Sequence, residues 1–180
     1  MKADAVPKAM LPRSVPQGIR SKLKDELNHS ETMSIICRYE PSEWLSPTVI
    51  VRKPNGEVRL FLDPQHLNSQ LIRTQCAMNT TTEIFSRLKG SKVFSCLDER
   101  QGFHQIPLTH ESSRLTCFVT SSGKFRYLRC PMGICNAPEI FHSLMVEAVK
   151  DIPGVEVYID DLLLHAPTQD LHDARLREAL

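Results

Sequence analysis

The stretch that most restricts what this chain can fold into is Val155-Glu156-Val157-Tyr158-Ile159-Asp160-Asp161-Leu162-Leu163-Leu164-His165. Val155, Val157 and Ile159 alternate with Glu156 and Tyr158, the period of two that marks a strand, and a second apolar run follows the two acids. The stretch therefore reads as a hairpin with adjacent carboxylates at its tip. Two neighbouring anions between apolar strands repel each other and resist desolvation, so the tip needs either open water or a cation beside it. A solvated Asp-Asp turn meets that need by itself, whereas a third carboxylate at another strand end would favour a cation. Lys92-Val93-Phe94-Ser95-Cys96-Leu97-Asp98 offers one: a short apolar strand ending in Asp98, ahead of Gly102-Phe103-His104-Gln105-Ile106.

The rest of the chain can build a fold around such a tip. A length of 180 residues suffices for one domain, or most of one, with a burial fraction near 70%. A composition that is 41% hydrophobic and 24% charged is that of a globular protein. No apolar run approaches the roughly 18 residues of a membrane span, and no apolar signal core follows Met1-Lys2-Ala3-Asp4, so neither membrane insertion nor secretion is expected. Cys37, Cys76, Cys96, Cys117, Cys130 and Cys135 are scattered, with no Cys-x-x-Cys or zinc-ligand spacing, so mostly buried, reduced thiols in an intracellular compartment are expected. The net charge of +1 argues against strong nucleic-acid binding on charge alone, although residues 1–92 carry 14 cations against 9 anions and residues 93–180 carry 8 against 12.

Read in order, residues 1–16 hold Pro7, Pro12 and Pro16 and suggest an extended lead-in. Ile19, Leu23 and Leu27 fall four apart, which predicts an amphipathic helix from Gln17 to about Ser30. Thr48 to Lys53 and Val58 to Asp63 form a hairpin, with Pro54-Asn55-Gly56-Glu57 read as a two-residue turn. A helix from Thr82 to Leu88, capped by Thr81 or Thr82, stops at Gly90. Leu115 to Thr120 and Lys124 to Leu128 make a second hairpin, Pro138 opens a helix running to about Lys150, and another helix starts at Gln169. These elements predict an α+β layer with antiparallel hairpins.

Four segments resemble the reverse transcriptases of retroelements, most closely those of gypsy-type LTR retrotransposons. Tyr158-Ile159-Asp160-Asp161 is similar to the family's Tyr-x-Asp-Asp hairpin, and Phe94 to Asp98 with Gly102 to Ile106 resembles its first catalytic strand. Pro131-Met132-Gly133-Ile134-Cys135-Asn136-Ala137-Pro138-Glu139-Ile140-Phe141 resembles Pro-Phe-Gly-x-x-x-Ala-Pro-x-x-Phe, and Arg59-Leu60-Phe61-Leu62-Asp63-Pro64-Gln65-His66-Leu67-Asn68 resembles Arg-x-x-x-Asp-x-x-x-Leu-Asn. Pro64 and Gln65 stand where Tyr and Arg are frequent, Met132 where many relatives have Phe or Gln, and Asn79 where Pro is usual.

The resemblance implies the fingers and palm of a right-hand polymerase, the palm a ferredoxin-like or RRM-like antiparallel sheet with packed helices, and no thumb within these residues. On that reading 1–16 is an extended lead-in, 17–73 and 106–136 are fingers, and 74–105 and 137–180 are palm, the last segment truncated. It implies RNA-directed DNA polymerase activity by two-metal phosphoryl transfer, with Asp98, Asp160 and Asp161 as catalytic metal ligands for two Mg²⁺, with Mn²⁺ as a substitute. Lys53, Arg59, Phe103, Met132 and Gly133 would contact the incoming nucleotide, Phe103 as the gate against a 2′-hydroxyl, while Tyr158 would lie near the primer end. Gly102 and Pro138 would serve geometry. The implied partners are an RNA or DNA template with primer, dNTPs and the remaining polyprotein (thumb, RNase H and integrase), and the implied location is cytoplasmic, in a virus-like particle, and nuclear. Weak primer extension is expected of this chain alone; the rival readings are a non-catalytic nucleic-acid-binding or interaction remnant of a retroelement and a non-functional pseudogene product.

Overall fold

A computed structural model describes residues 1–39, 42–54, 56–74 and 80–180. A 3-10 turn over Gln17–Ile19 leads into α1 (Arg20–Thr32), β1 (Ile36–Arg38), β2 (Thr48–Arg52), β3 (Val58–Leu62), α2 (Gln65–Gln70), α3 (Thr81–Arg87), β4 (Val93–Asp98), α4 (Gly102–Gln105), α5 (His110–Leu115), β5 (Phe118–Thr120), β6 (Gly123–Tyr127), α6 (Ala137–Val149), β7 (Val155–Tyr158), β8 (Asp161–Ala166) and α7 (Gln169–Ala179). The chain divides into two compact units, Met1–Arg73 with Phe103–Ala137 and Thr74–Gly102 with Pro138–Leu180. Every strand pair is antiparallel, as an α+β arrangement of hairpins requires.

In the first unit β1, β6 and β5 form a three-stranded sheet, and β2 pairs β3 from Thr48↔Leu62 to Arg52↔Val58. Ile19, Leu23 and Leu27 are all buried, as their spacing demands. Helix α1 ends where Ser34 turns to φ 54°, with the Ile35 N–H donating to Ser30 O, a Schellman closure that returns the chain into β1. Leu23, Leu27, Ile35, Ile36, Leu62, Phe118, Phe125 and Tyr127 form the core, with the Phe118 ring 5.6 Å from Phe125 and 5.2 Å from Tyr127. Each such ring removed from a packed core costs about 3–5 kcal/mol. Residues 1–16 contain no helix and are held by contacts: Ala9 bridges Leu45, Val6 O lies 2.8 Å from His66 Nε2, and Arg13 pairs with Asp63.

The second unit is built on a sheet of order β4-β8-β7. Phe141, Met145 and Val149, four apart, are the buried side of α6. Helix α7 is fastened to the sheet by His172, whose Nε2 lies 2.9 Å from Ser95 Oγ, and by Arg175, whose guanidinium donates to His165 O at 2.6 Å. Arg87 of α3 donates to the buried Glu156 carboxylate at 2.8 Å. Gly102 is geometric, as expected: a Cβ there would lie 2.6 Å from Phe141 Cζ.

Several local expectations need correction. The β2–β3 connection is longer than two residues, since Lys53 N–H donates to Glu57 O and Gly56 N–H to Lys53 O. Pro54 has no N–H to continue the ladder, so pairing cannot close directly around residues 55 and 56; Asn55 itself, like Cys76 and Asn79, lies outside the described residues. The cap of α3 is Thr80, in a capping box with Glu83, rather than Thr81 or Thr82. Leu115 ends helix α5 rather than opening a strand, because Thr109 caps that helix by accepting from Ser112 N–H. β1, α2 and α4 were not foreseen as separate elements. Cys117 and Cys130 are buried and free, burial pushing both thiols up, Cys130 to about 11, but Cys96 is exposed.

Candidate active site

The hairpin tip has the form that alternation predicts. Tyr158 of β7 pairs with Asp161 of β8, leaving Ile159 and Asp160 as a two-residue turn. Ile159 sits at φ 60°, a left-handed conformation that a β-branched residue rarely adopts and that costs on the order of 1–3 kcal/mol. Strain of this size is held in place by the ladder on both sides of the turn, and it fixes the direction in which Asp160 leaves the backbone.

β4 lies on the other side of β8, and its last residue pairs across: Asp98 is the register partner of Asp161. Partners in an antiparallel ladder share a face, with Cβ atoms about 4.5–5.5 Å apart, so two of the three carboxylates stand side by side. Tyr158, Asp161 and Asp98 form one row across the three strands. Asp98 and Asp160 are exposed and Asp161 is half-buried. None of the three has a hydrogen-bond or ion-pair partner among the described residues.

Among the described residues no group of three His, Cys, Asp or Glu side chains is gathered tightly enough to hold a metal ion. Like charges at exposed positions, with no cation among them, are driven apart rather than together. The donor set nevertheless fits a hard divalent cation, since it offers only carboxylate oxygens, two of them on ladder partners and the third on the adjoining turn.

The residues with expected nucleotide contacts lie in the first unit. Arg59, exposed on β3, acts electrostatically on Glu26 and His104, and it helps burial push the His104 imidazole below its ordinary pKa. Lys53 is paired with Glu57 at 3.0 Å, so it is not a free cation here, although an exposed pair of this kind is worth only about 0.2–1 kcal/mol. Phe103 is half-buried in α4, and the His104 ring stacks 6.4 Å from Tyr127.

Met132 is half-buried and Gly133 exposed, in the loop before α6. Gly133 has φ 109°, and a Cβ on it would lie 2.3 Å from Leu62 O, so only glycine allows this approach to the end of β3. Sequence reasoning gave Asn68 no role. Its Nδ2 donates to Gly133 O at 2.8 Å and its Oδ1 accepts from Cys135 N–H at 3.0 Å. The only signal was its place at the end of the Arg59 to Asn68 segment.

Residues 47–180 match the family described as reverse transcriptase (RNA-dependent DNA polymerase). An uncharacterised protein of Caenorhabditis elegans is 34% identical over 97% of this chain and 14% of its own length. The retrovirus-related Pol polyprotein from transposon 412 of Drosophila melanogaster is 35% identical over 68% of this chain and 11% of its own length. The chain thus spans less than a fifth of the curated relatives it matches. The crystal structure of prototype foamy virus protease-reverse transcriptase superposes with a TM-score of 0.87 at 25% identity, over 97% of this chain and 24% of that one.

Proposed function

We propose, from the premise that this chain belongs to the reverse transcriptase family, that it carries the polymerising centre of a retroelement polyprotein and adds deoxynucleotides to a primer on an RNA template. The observation that carries the reading is the register Asp98↔Asp161, with Asp160 at the adjoining turn, on a reverse-transcriptase fingers and palm fold. Asp98, Asp160 and Asp161 would hold two Mg²⁺, or Mn²⁺ in its place. When bound, the ions would stabilise the attacking and leaving oxygens of an in-line phosphoryl transfer.

The chain's own groups have separable tasks. Arg59, with Lys53 once released from Glu57, would neutralise the triphosphate and hold it in line. Phe103 would close off the space that a ribose 2′-hydroxyl needs, and Met132 and Gly133 would line the pocket of the incoming base and sugar. Tyr158, 43% exposed and in the row with Asp161 and Asp98, offers a ring face to the primer terminus. Foamy viral protease-reverse transcriptase has been solved with an RNA/DNA hybrid, which supports an RNA template with a DNA primer as the partner. The first unit would serve as fingers and the second as palm. Action within a cytoplasmic virus-like particle, and then in the nucleus, is consistent with that chemistry.

Single-nucleotide extension of a DNA primer on an RNA template, with the chain in excess and Mg²⁺ present, tests this. Slow dNMP addition, lost in Asp160→Asn, is the expected result. Addition that survives Asp160→Asn overturns the metal assignment, and rapid processive extension overturns the expectation that this chain alone grips its substrate weakly.

A further inference from the structure

We propose that Asn68 is a positioning residue for the nucleotide pocket: it holds the Gly133–Cys135 segment in the one conformation that lets Met132 and Gly133 meet a dNTP. The inference rests on the proposed role of those two residues. Residues 131–136 belong to no helix or strand, so nothing in a ladder fixes their backbone. The Asn68 amide takes over that task by using both of its ends, donating to Gly133 O at 2.8 Å and accepting from Cys135 N–H at 3.0 Å. The two bonds bracket Ile134 and fix the peptide groups on either side of it.

Asn68 is itself held firmly. Its own N–H donates to Pro64 O at 2.8 Å, its neighbour Leu67 is buried, and Lys2 bonds the end of α2 through Gln70 O and Ser69 O. A third bond, from Asn136 Nδ2 to Ile72 O at 2.9 Å, ties the far end of the loop to the same segment. Gly133 is meanwhile pressed against Leu62 O and Pro64 Cδ, so the loop has a wall on one side and the amide on the other.

Only a side chain with a donor and an acceptor at this reach can serve both partners. Aspartate is isosteric, keeps the acceptor for Cys135 N–H, and sets an anion against Gly133 O where a donor is needed. Alanine frees both groups. A displacement of about 1 Å in a substrate-positioning group can cost up to about 100-fold, so a partial release should cost about tenfold, and it should fall on KM for dNTP because the loop meets the bound nucleotide rather than the reacting atoms.

The test is single-nucleotide incorporation on an RNA-templated primer, measured over a dNTP series for wild type, Asn68→Ala, Asn68→Asp, Met132→Ala and Ser69→Ala, with template-primer affinity measured alongside. Both Asn68 variants should raise KM for dNTP about tenfold and Met132→Ala should raise it too, while Ser69→Ala and all template-primer affinities stay at wild type. A general structural role would instead move template-primer affinity and kcat together. If Met132→Ala raises KM and the Asn68 variants do not, Asn68 has no positioning role; if Met132→Ala also leaves KM unchanged, the nucleotide reading of the loop fails and the inference with it. Should Asn68→Ala not fold, the isosteric Asn68→Asp decides, since it keeps the acceptor for Cys135 N–H and replaces only the donor to Gly133 O by an anion.

Discussion

Replacing Asp98 by Asn should make the metal-free chain more stable while abolishing its chemistry. Asp98 and Asp161 face each other across β4 and β8, with no cationic or hydrogen-bonding partner for either among the described residues. Two unit charges about 5 Å apart in an exposed, water-like setting repel by about 0.8 kcal/mol, and like charges directly opposite in a ladder are known to destabilise it on that scale. Asp98→Asn keeps the shape and removes the repulsion. For a chain of this size a gain of about 0.5–1 kcal/mol raises the thermal midpoint by about 1–4 °C. The assay is a thermal melt followed by circular dichroism, near neutral pH, at low salt and with chelator. Added salt should shrink the difference, because the Debye length falls to about 10 Å at 0.1 M. Divalent metal should reverse the order: at ten times its dissociation constant an ion stabilises wild type by about 1.4 kcal/mol, and the variant, lacking a ligand, gains less. If Asp98→Asn lowers the midpoint in chelator, the carboxylate makes a structural contact and the reasoning fails.

Burial holds the imidazoles of His104 and His165 below their ordinary pKa, so the folded chain binds fewer protons than the unfolded one just below pH 6.5 and loses stability as the pH falls through that window. Melts between pH 7.5 and 5.5 should show the loss, and His104→Gln with His165→Gln should flatten the slope. Gly102→Ala should destabilise the chain by about 1–3 kcal/mol, read by denaturant unfolding, because its methyl group would overlap the buried Phe141 ring. Among the described cysteines, Cys96 should react first with a maleimide, while Cys117 and Cys130 stay protected until unfolding, as mass spectrometry of a labelling time course would show.

What could be read from the sequence was what local periodicity encodes. The alternation in Val155 to Ile159 and the short apolar run from Lys92 to Asp98 marked two strands with acids at or beside their ends, whereas the register Asp98↔Asp161 is a long-range pairing that neither segment encodes alone. The four-residue spacing of Ile19, Leu23 and Leu27 likewise placed the buried side of α1. β1 stayed hidden because Ile36–Arg38 is too short for a period to show, and its strand character comes from pairing with Gly123–Tyr127, far along the chain. Helix α5 was masked by apolar and β-branched residues at its end, although Thr109 and Ser112 carry the cap. The pairing of Lys53 with Glu57, four residues on, was not legible in the sequence, because charge patterns on a turn do not reveal which side of the hairpin each side chain takes. Asn68 was invisible as a clamp for a different reason: its two partners lie 65 and 67 residues away, and no single-sequence pattern links a side-chain amide to a distant loop backbone.

Three carboxylates from two segments, Asp98 on one and the adjacent Asp160 and Asp161 on the other, would hold divalent ions for nucleotide transfer, and counting bound Mn²⁺ by electron paramagnetic resonance, with template-primer and a non-hydrolysable dNTP present, tests that most directly. Wild type should take up two ions per chain, with uptake weakened at least tenfold in Asp98→Asn, Asp160→Asn and Asp161→Asn alike. Unchanged Mn²⁺ uptake in any of the three variants would contradict the assignment of that residue, and in all three it would contradict the account itself.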